Sequence, residues 1–218
     1  MVGIIIALES EAKEILAKLQ CTLTRKIANK NFYLFQTNNT QGVLGISGIG
    51  KVNAALTTQI LINCFKVDKI LNIGTCGGLE KNMNIGDIFT VRECMQYDFD
   101  LSELDNVEKG FIQGFNSKFF SCNIVEGYKI QNLGSADKFS NDIQPVNFLI
   151  KNNVFLKDME GAAIAQVCSL NKIPLYIVKG VTDVYGTNKE IPTQQFKNNL
   201  ELVNKNLKEE IENILKKI

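Results

Sequence analysis

The stretch Leu156-Lys-Asp-Met-Glu-Gly-Ala-Ala-Ile-Ala-Gln-Val-Cys168 decides how the rest of the chain is read. Two carboxylates, Asp158 and Glu160, flank Met159, and no further charge follows until Lys172. Gly161, Ala162, Ala163 and Ala165 are small enough for a helix to lie close against a sheet, so the run reads as a buried helix. A carboxylate at the mouth of such a helix either caps its N-terminus or binds something. The next apolar run, Ile173 to Val181, is followed by Asp183. Strand-end carboxylates opening toward one crevice are what an α/β enzyme needs. A plainer reading stands beside this one: Glu160 as a first-turn residue favoured by the helix dipole, and Asp183 as a cap or turn residue.

Working outward, Val2 to Leu8 is a continuous apolar run, as expected of a central strand buried on both faces. Glu9-Ser-Glu11 opens a helical pattern carrying Ile15, Leu16 and Leu19 on one side, with Ser10 as the expected N-cap. Residues 21 to 41 read as strands and turns. Val43 to Ser47 is a strand that turns into a helix through Gly48-Ile-Gly-Lys-Val-Asn-Ala-Ala-Leu56. This glycine-rich turn lacks both the Walker spacing and the dinucleotide fingerprint. Lys69-Ile-Leu-Asn-Ile-Gly-Thr-Cys-Gly-Gly78 repeats the arrangement, and its glycines allow close approach of a ligand to the backbone. Ile85 to Val91 and Cys122 to Leu133 read as further strands. Gln96 to Gly110 is an acidic surface excursion, and Gly134 to Ser140 a loop with one aromatic, Phe139. From Phe196 to Ile218, apolar residues recur at three- and four-residue steps, which predicts an amphipathic closing helix. The sum predicts an α/β fold: a three-layer α/β/α sandwich around a central mixed, mostly parallel sheet, with residues 1–218 forming one domain.

Composition narrows the chemistry. The 218 residues are 45% hydrophobic and 22% charged with a formal net charge of +1, which gives no reason to expect nucleic acid or an anionic membrane as partner. Six cysteines without a C-x-x-C pair, mostly within apolar segments, read as reduced, buried thiols. The N-terminal run lacks a basic flank and a cleavage site, and no apolar run approaches the ~20 residues that cross a bilayer. A cytoplasmic protein without a bound metal or cofactor is expected. There is no histidine, so Ser-His-Asp and Cys-His catalysis are excluded and acid–base work falls to Asp and Glu.

Asp158-Met-Glu-Gly-Ala-Ala-Ile-Ala165 followed by Val178-Lys-Gly-Val-Thr-Asp183 resembles the purine nucleoside phosphorylase and nucleosidase superfamily, and within it the 5′-methylthioadenosine/S-adenosylhomocysteine nucleosidases. The likeness runs over nearly the whole chain. Gly3 to Glu11 resembles the family's opening strand and acidic turn, Ser47 to Ala55 and Asn72 to Gly78 its two glycine-rich loops. Such a resemblance implies hydrolysis of an N-ribosidic bond in a small nucleoside. It implies that Glu11 activates water, Asp183 protonates purine N7 with Thr182 orienting it, and Glu160 with Met159 binds ribose. Thr75 and Gly77 would position water or ribose, Phe139 would stack on the base, and the Ser140 backbone would read its edge. A homodimer is implied too, with a loop of one subunit closing the other's site. Departures are also visible: Lys179 stands where arginine is usual, Thr182 replaces serine, Lys138 and Ser140 are more polar or charged than usual beside the base, and Leu104 stands where an aromatic is usual. Three alternatives remain, one of them a nucleosidase for another nucleoside such as futalosine. A phosphorylase would hold phosphate with arginine forks, but the chain has only Arg25 and Arg92 and presents Glu9 and Glu11 in the first loop. A non-catalytic nucleoside binder would have no need of Glu11, Glu160 and Asp183 together.

Overall fold

A computed structural model of the chain describes residues 1–37, 40–105, 107–139, 142–186 and 192–218. Ser140, expected to read the base edge, lies outside the described residues. Strand β1 (Val2–Ile6) is buried throughout because it is covered on both sides. Ile4 and Ile6 enter one core with helices α1 (Glu9–Lys18) and α6 (Pro192–Lys217), and Ile5 enters the other with α2 (Lys51–Phe65) and α5 (Gly161–Asn171). Such a strand reads as an unbroken apolar run because its side chains alternate between two dry faces.

The sheet continues on one side of β1 through β4 (Gln41–Ile46), β3 (Lys30–Gln36) and β2 (Thr22–Ile27). On the other side, β5 (Lys69–Gly78) runs parallel to both β1 and β10 (Leu175–Val184). The path then passes from β10 through β6 (Ile88–Gln96) and β8 (Lys129–Ser135) to β9 (Leu156–Asp158), which pairs back onto β5. Strand β7 (Phe120–Ser121) pairs with β6. The parallel pairings hold the centre, β4-β1-β5-β10, and join β6-β8-β9. The β2-β3-β4 meander, β6 on β10, and β9 on β5 are antiparallel. The closed circuit β5-β10-β6-β8-β9 brings the C-terminal ends of β5, β9 and β10 together at one place.

Helix α6 buries Val203, Leu207, Ile211 and Ile214 at helical spacing against the sheet, each worth about 1.5–3 kcal/mol of transfer free energy. It begins four residues earlier than the apolar pattern from Phe196, since a helix's polar first turn leaves no periodic trace. Four other local readings are corrected. Leu8, not Ser10, is the N-cap of α1; Glu11 at the third helical position accepts from the Leu8 N–H at 3.1 Å, doing half of a capping box's work. The strand read from Ile85 starts at Ile88, after a turn in which Gly86 has φ +88°. The run Cys122 to Leu133 is not one strand: β7 ends before it and β8 begins at Lys129. Finally, two helices are added, α3 (Ser102–Asp105) in the acidic excursion and α4 (Ile143–Lys151), which buries only Val146 and Leu149.

Candidate active site

The joined strand ends frame a cavity of about 400 Å³. Glu11, Thr75, Gly77, Phe139, Met159, Glu160, Thr182 and Asp183 all line it, so every described residue singled out in the sequence for binding or chemistry meets there. Each arrives by a different route. Glu11 comes from the first turn of α1, Thr75 and Gly77 from the end of β5, Phe139 from the segment after β8. Met159 and Glu160 follow β9, and Thr182 and Asp183 end β10.

The two carboxylates of the opening stretch divide the two roles open to them. Asp158 is the cap. It accepts the Gly161 N–H at 3.0 Å and the Ser135 hydroxyl, and pairs with Lys179 at 2.9 Å. Both members of that pair are buried. Burial would lower the Lys179 pKa, but Asp158 and then Glu160 outweigh it and the group is pushed up to about 12. Glu160 faces the cavity, and its Oε1 accepts the Gly50 N–H at 2.9 Å. Burial, reinforced by Asp158 and opposed by Lys179, raises its carboxyl from an ordinary 4.5 to about 7.

Glu11 is buried with both oxygens engaged. Oε2 holds the Leu8 N–H, and Oε1 accepts the Thr75 N–H at 3.0 Å and the Thr75 hydroxyl at 2.6 Å. The donors that a bound anion would use are therefore already satisfied by a carboxylate. At the start of α2, Gly50 takes φ +97°, a conformation that disfavours a side chain, and the Lys51 N–H goes to Asp137 Oδ1 at 2.8 Å. Lys51 pairs with Asp98 at 2.7 Å, tying α2 to the segment after β6.

Asp183 is held by its neighbours. The Thr182 hydroxyl lies 3.0 Å from Asp183 Oδ1 and 3.2 Å from the Cys76 carbonyl. The hydroxyl donates to Asp183 Oδ1 and to the carbonyl, sharing its one proton between them, and so fixes the carboxyl's orientation. Burial raises the Asp183 pKa, opposed by Lys157 and Thr182. Phe139 is half exposed at the rim and meets Phe196 edge to face, with ring centroids 5.9 Å apart. Sequence reasoning missed Phe196, read as core cover on a closing helix, and Lys157, whose place in the cavity depends on strand pairing. Among the described residues, those of the acidic excursion included, no group of three or more metal-ligating side chains occurs.

The chain matches the family model of the phosphorylase superfamily over residues 1–216. It belongs to that superfamily. A relative from Geobacillus sp. (strain WCH70), named 5′-methylthioadenosine/S-adenosylhomocysteine nucleosidase, is 30% identical over 210 residues, spanning 89% of this chain and 90% of its own. That kinship puts this superfamily member in the nucleosidase branch, whose members are hydrolases. A solved nucleosidase of that name from Colwellia psychrerythraea 34H, in complex with adenine, matches at TM-score 0.86 and 29% identity over 99% of this chain and 94% of its own. Futalosine hydrolase of Helicobacter pylori strain 26695 matches at TM-score 0.89 and 25% identity, over 100% and 97%. The phosphorylase-superfamily fold is thus shared across enzymes with different named substrates. No helix among the described residues is long and apolar enough to cross a membrane.

Proposed function

We propose that the chain, acting as one domain, hydrolyses the N-ribosidic bond of a 5′-substituted adenosine of the methylthioadenosine or S-adenosylhomocysteine type, releasing adenine and a free 5′-thioribose. The observation that carries this reading is the convergence of Glu11, Glu160 and Asp183 on one cavity, with Glu11 occupying the N–H and hydroxyl of Thr75 in β5. In the reaction the C1′–N9 bond breaks and its electron pair enters the purine. Asp183 gives its proton to N7; burial favours its protonated form, and the Thr182 hydroxyl holds its Oδ1 in position. Glu160 accepts hydrogen bonds from the ribose hydroxyls and favours the positive charge growing on the sugar. A water beside Glu11 attacks C1′, and Glu11 takes its proton. Phe139 stacks on the base, and Met159 packs against the ribose.

Water is favoured over phosphate by the same geometry. A phosphate near C1′ would meet the Glu11 carboxylate, and the nearby Gly50 and Lys51 amides are already bonded to Glu160 and Asp137. A homodimer is part of the proposal. Ile49 lines the cavity mouth, and Val52, Leu56 and Leu104 are exposed apolar side chains of the kind that a second subunit covers.

The test is product analysis on methylthioadenosine with and without phosphate. Turnover is expected to be independent of phosphate and to yield the free sugar. Glu11→Gln should lower kcat by ~10²–10⁴ while nucleoside binding persists, and Asp183→Asn by at least as much, since an amide cannot deliver the N7 proton. Formation of a sugar 1-phosphate with phosphate-dependent rates would replace this reading by phosphorolysis.

A further inference from the structure

Lys157 is among the charged side chains that line the cavity without a part in that reaction. Lys157 is buried, and its Nζ lies 6.0 Å from the centroid of Phe139, the ring proposed to stack on the base. Strand pairing explains how it gets there. Gly77 of β5 stands between two partners: Lys157 in antiparallel β9 on one side and Asp183 in parallel β10 on the other. A Cβ on Gly77 would come 2.8 Å from Lys157 Cε and 2.9 Å from Asp183 Oδ2. Both side chains therefore lean over the same bare backbone, so the ammonium and the carboxyl reach the base end of the cavity side by side.

We propose that Lys157 reads purine position 6, supplying a hydrogen-bond donor to a carbonyl oxygen there, so that 5′-substituted 6-oxopurine nucleosides are hydrolysed as well as their 6-aminopurine counterparts. The inference rests on the nucleosidase reading and on Asp183 facing N7. The edge of a purine next to N7 differs between the two bases. A 6-oxopurine presents two adjacent acceptors, N7 and O6, whereas adenine presents the N7 acceptor beside an amino donor. With a protonated Asp183 facing N7, the neighbouring ammonium supplies a second donor for the second acceptor, O6. An adenine amino group gives the ammonium nothing to bond. It is tolerated because the four-carbon stem can swing the ammonium back to Asp183. Burial lowers the Lys157 pKa, opposed by Asp183 and Asp142, and the side chain acts as a hydrogen-bond donor without giving up a proton. The electron pair from the broken C1′–N9 bond spreads into the ring, and the hydrogen bond at O6 stabilises the share that reaches that oxygen.

The plainer role for Lys157 is to hold Asp183 in place, which would affect both bases alike. A ratio separates the two. The enzyme and Lys157→Met are assayed with 5′-methylthioadenosine and with 5′-methylthioinosine, which carries oxygen instead of the amino group. The enzyme should cleave both with kcat/KM values within about tenfold of each other, and in Lys157→Met the inosine-to-adenosine ratio should fall by about 10–10²-fold, the value of a charged hydrogen bond. An unchanged ratio would overturn the proposal. So would an enzyme active on methylthioadenosine but ~10³-fold or more slower on the inosine analogue. If Lys157→Met loses both activities, calorimetric titration of the unaltered enzyme with free hypoxanthine and adenine decides. Comparable affinities support the reading, and hypoxanthine binding ~10²-fold weaker refutes it. An enzyme that cleaves neither nucleoside removes the proposed function itself, and this inference with it.

Discussion

Replacing Glu160 by Gln should stabilise the protein at alkaline pH while removing its activity. The carboxyl is buried beside Asp158, and its pKa is raised from 4.5 to about 7, so the folded state binds its proton more tightly than the unfolded chain. The sign follows: the ionised form is the costly one, and native stability is lost as pH rises from about 4.5 through 7. Integrated over that window, the ionised carboxylate costs about 3 kcal/mol above pH 7 and little below pH 4.5. Glutamine has the same shape, keeps an oxygen to accept the Gly50 N–H and never ionises. The variant's melting temperature should therefore exceed the parent's by roughly 5–10 °C at pH 8, with the gap closing toward pH 4.5. Thermal unfolding across pH 4 to 8 measures this directly. A Glu160→Gln protein less stable than the parent at pH 8, or an increment that does not change with pH, would refute the claim that burial of this charge opposes folding.

Other expectations follow from the same electrostatics. The kcat/KM profile, which reports the free enzyme, should be bell-shaped, because the reaction needs Glu160, raised to about 7, ionised and Asp183, whose pKa burial raises, protonated; a flat profile between pH 5 and 8 would contradict the roles of both. Lys179→Met should lower stability by about 3–5 kcal/mol because it leaves Asp158 as an uncompensated buried charge, and adding Asp158→Asn should recover part of the loss in urea unfolding. Sedimentation at assay concentration should find a dimer, and Val52→Glu at the exposed start of α2 should dissociate it; a fully active monomer would count against the proposed assembly.

The sequence by itself determined the layer pattern and the identity of the acidic residues. The apolar runs at Val2–Ile6 and at Leu175–Val178 of β10 read as strands covered on both faces, and a chain without histidine leaves its acid–base chemistry to carboxylates. Those readings depend on local composition, which is fully present in one dimension. It could not decide between the cap and the cavity for Asp158 and Glu160, two residues apart with the same chemistry. That choice depends on which one meets Ser135 and Lys179, brought in by β8 and β10, and which one meets Gly50. The helix α4 escaped notice because it buries only Val146 and Leu149, too few for a period. The role of Gly77 was open for the same reason as that of Lys157. A glycine at a strand end can serve a turn, a ligand or a close neighbour, and only the register of β9 and β10 on β5 shows that Lys157 and Asp183 fill the space a side chain would need. Register between strands about eighty and more than a hundred residues apart is a property of the closed sheet, because it is fixed by the packing of both faces together.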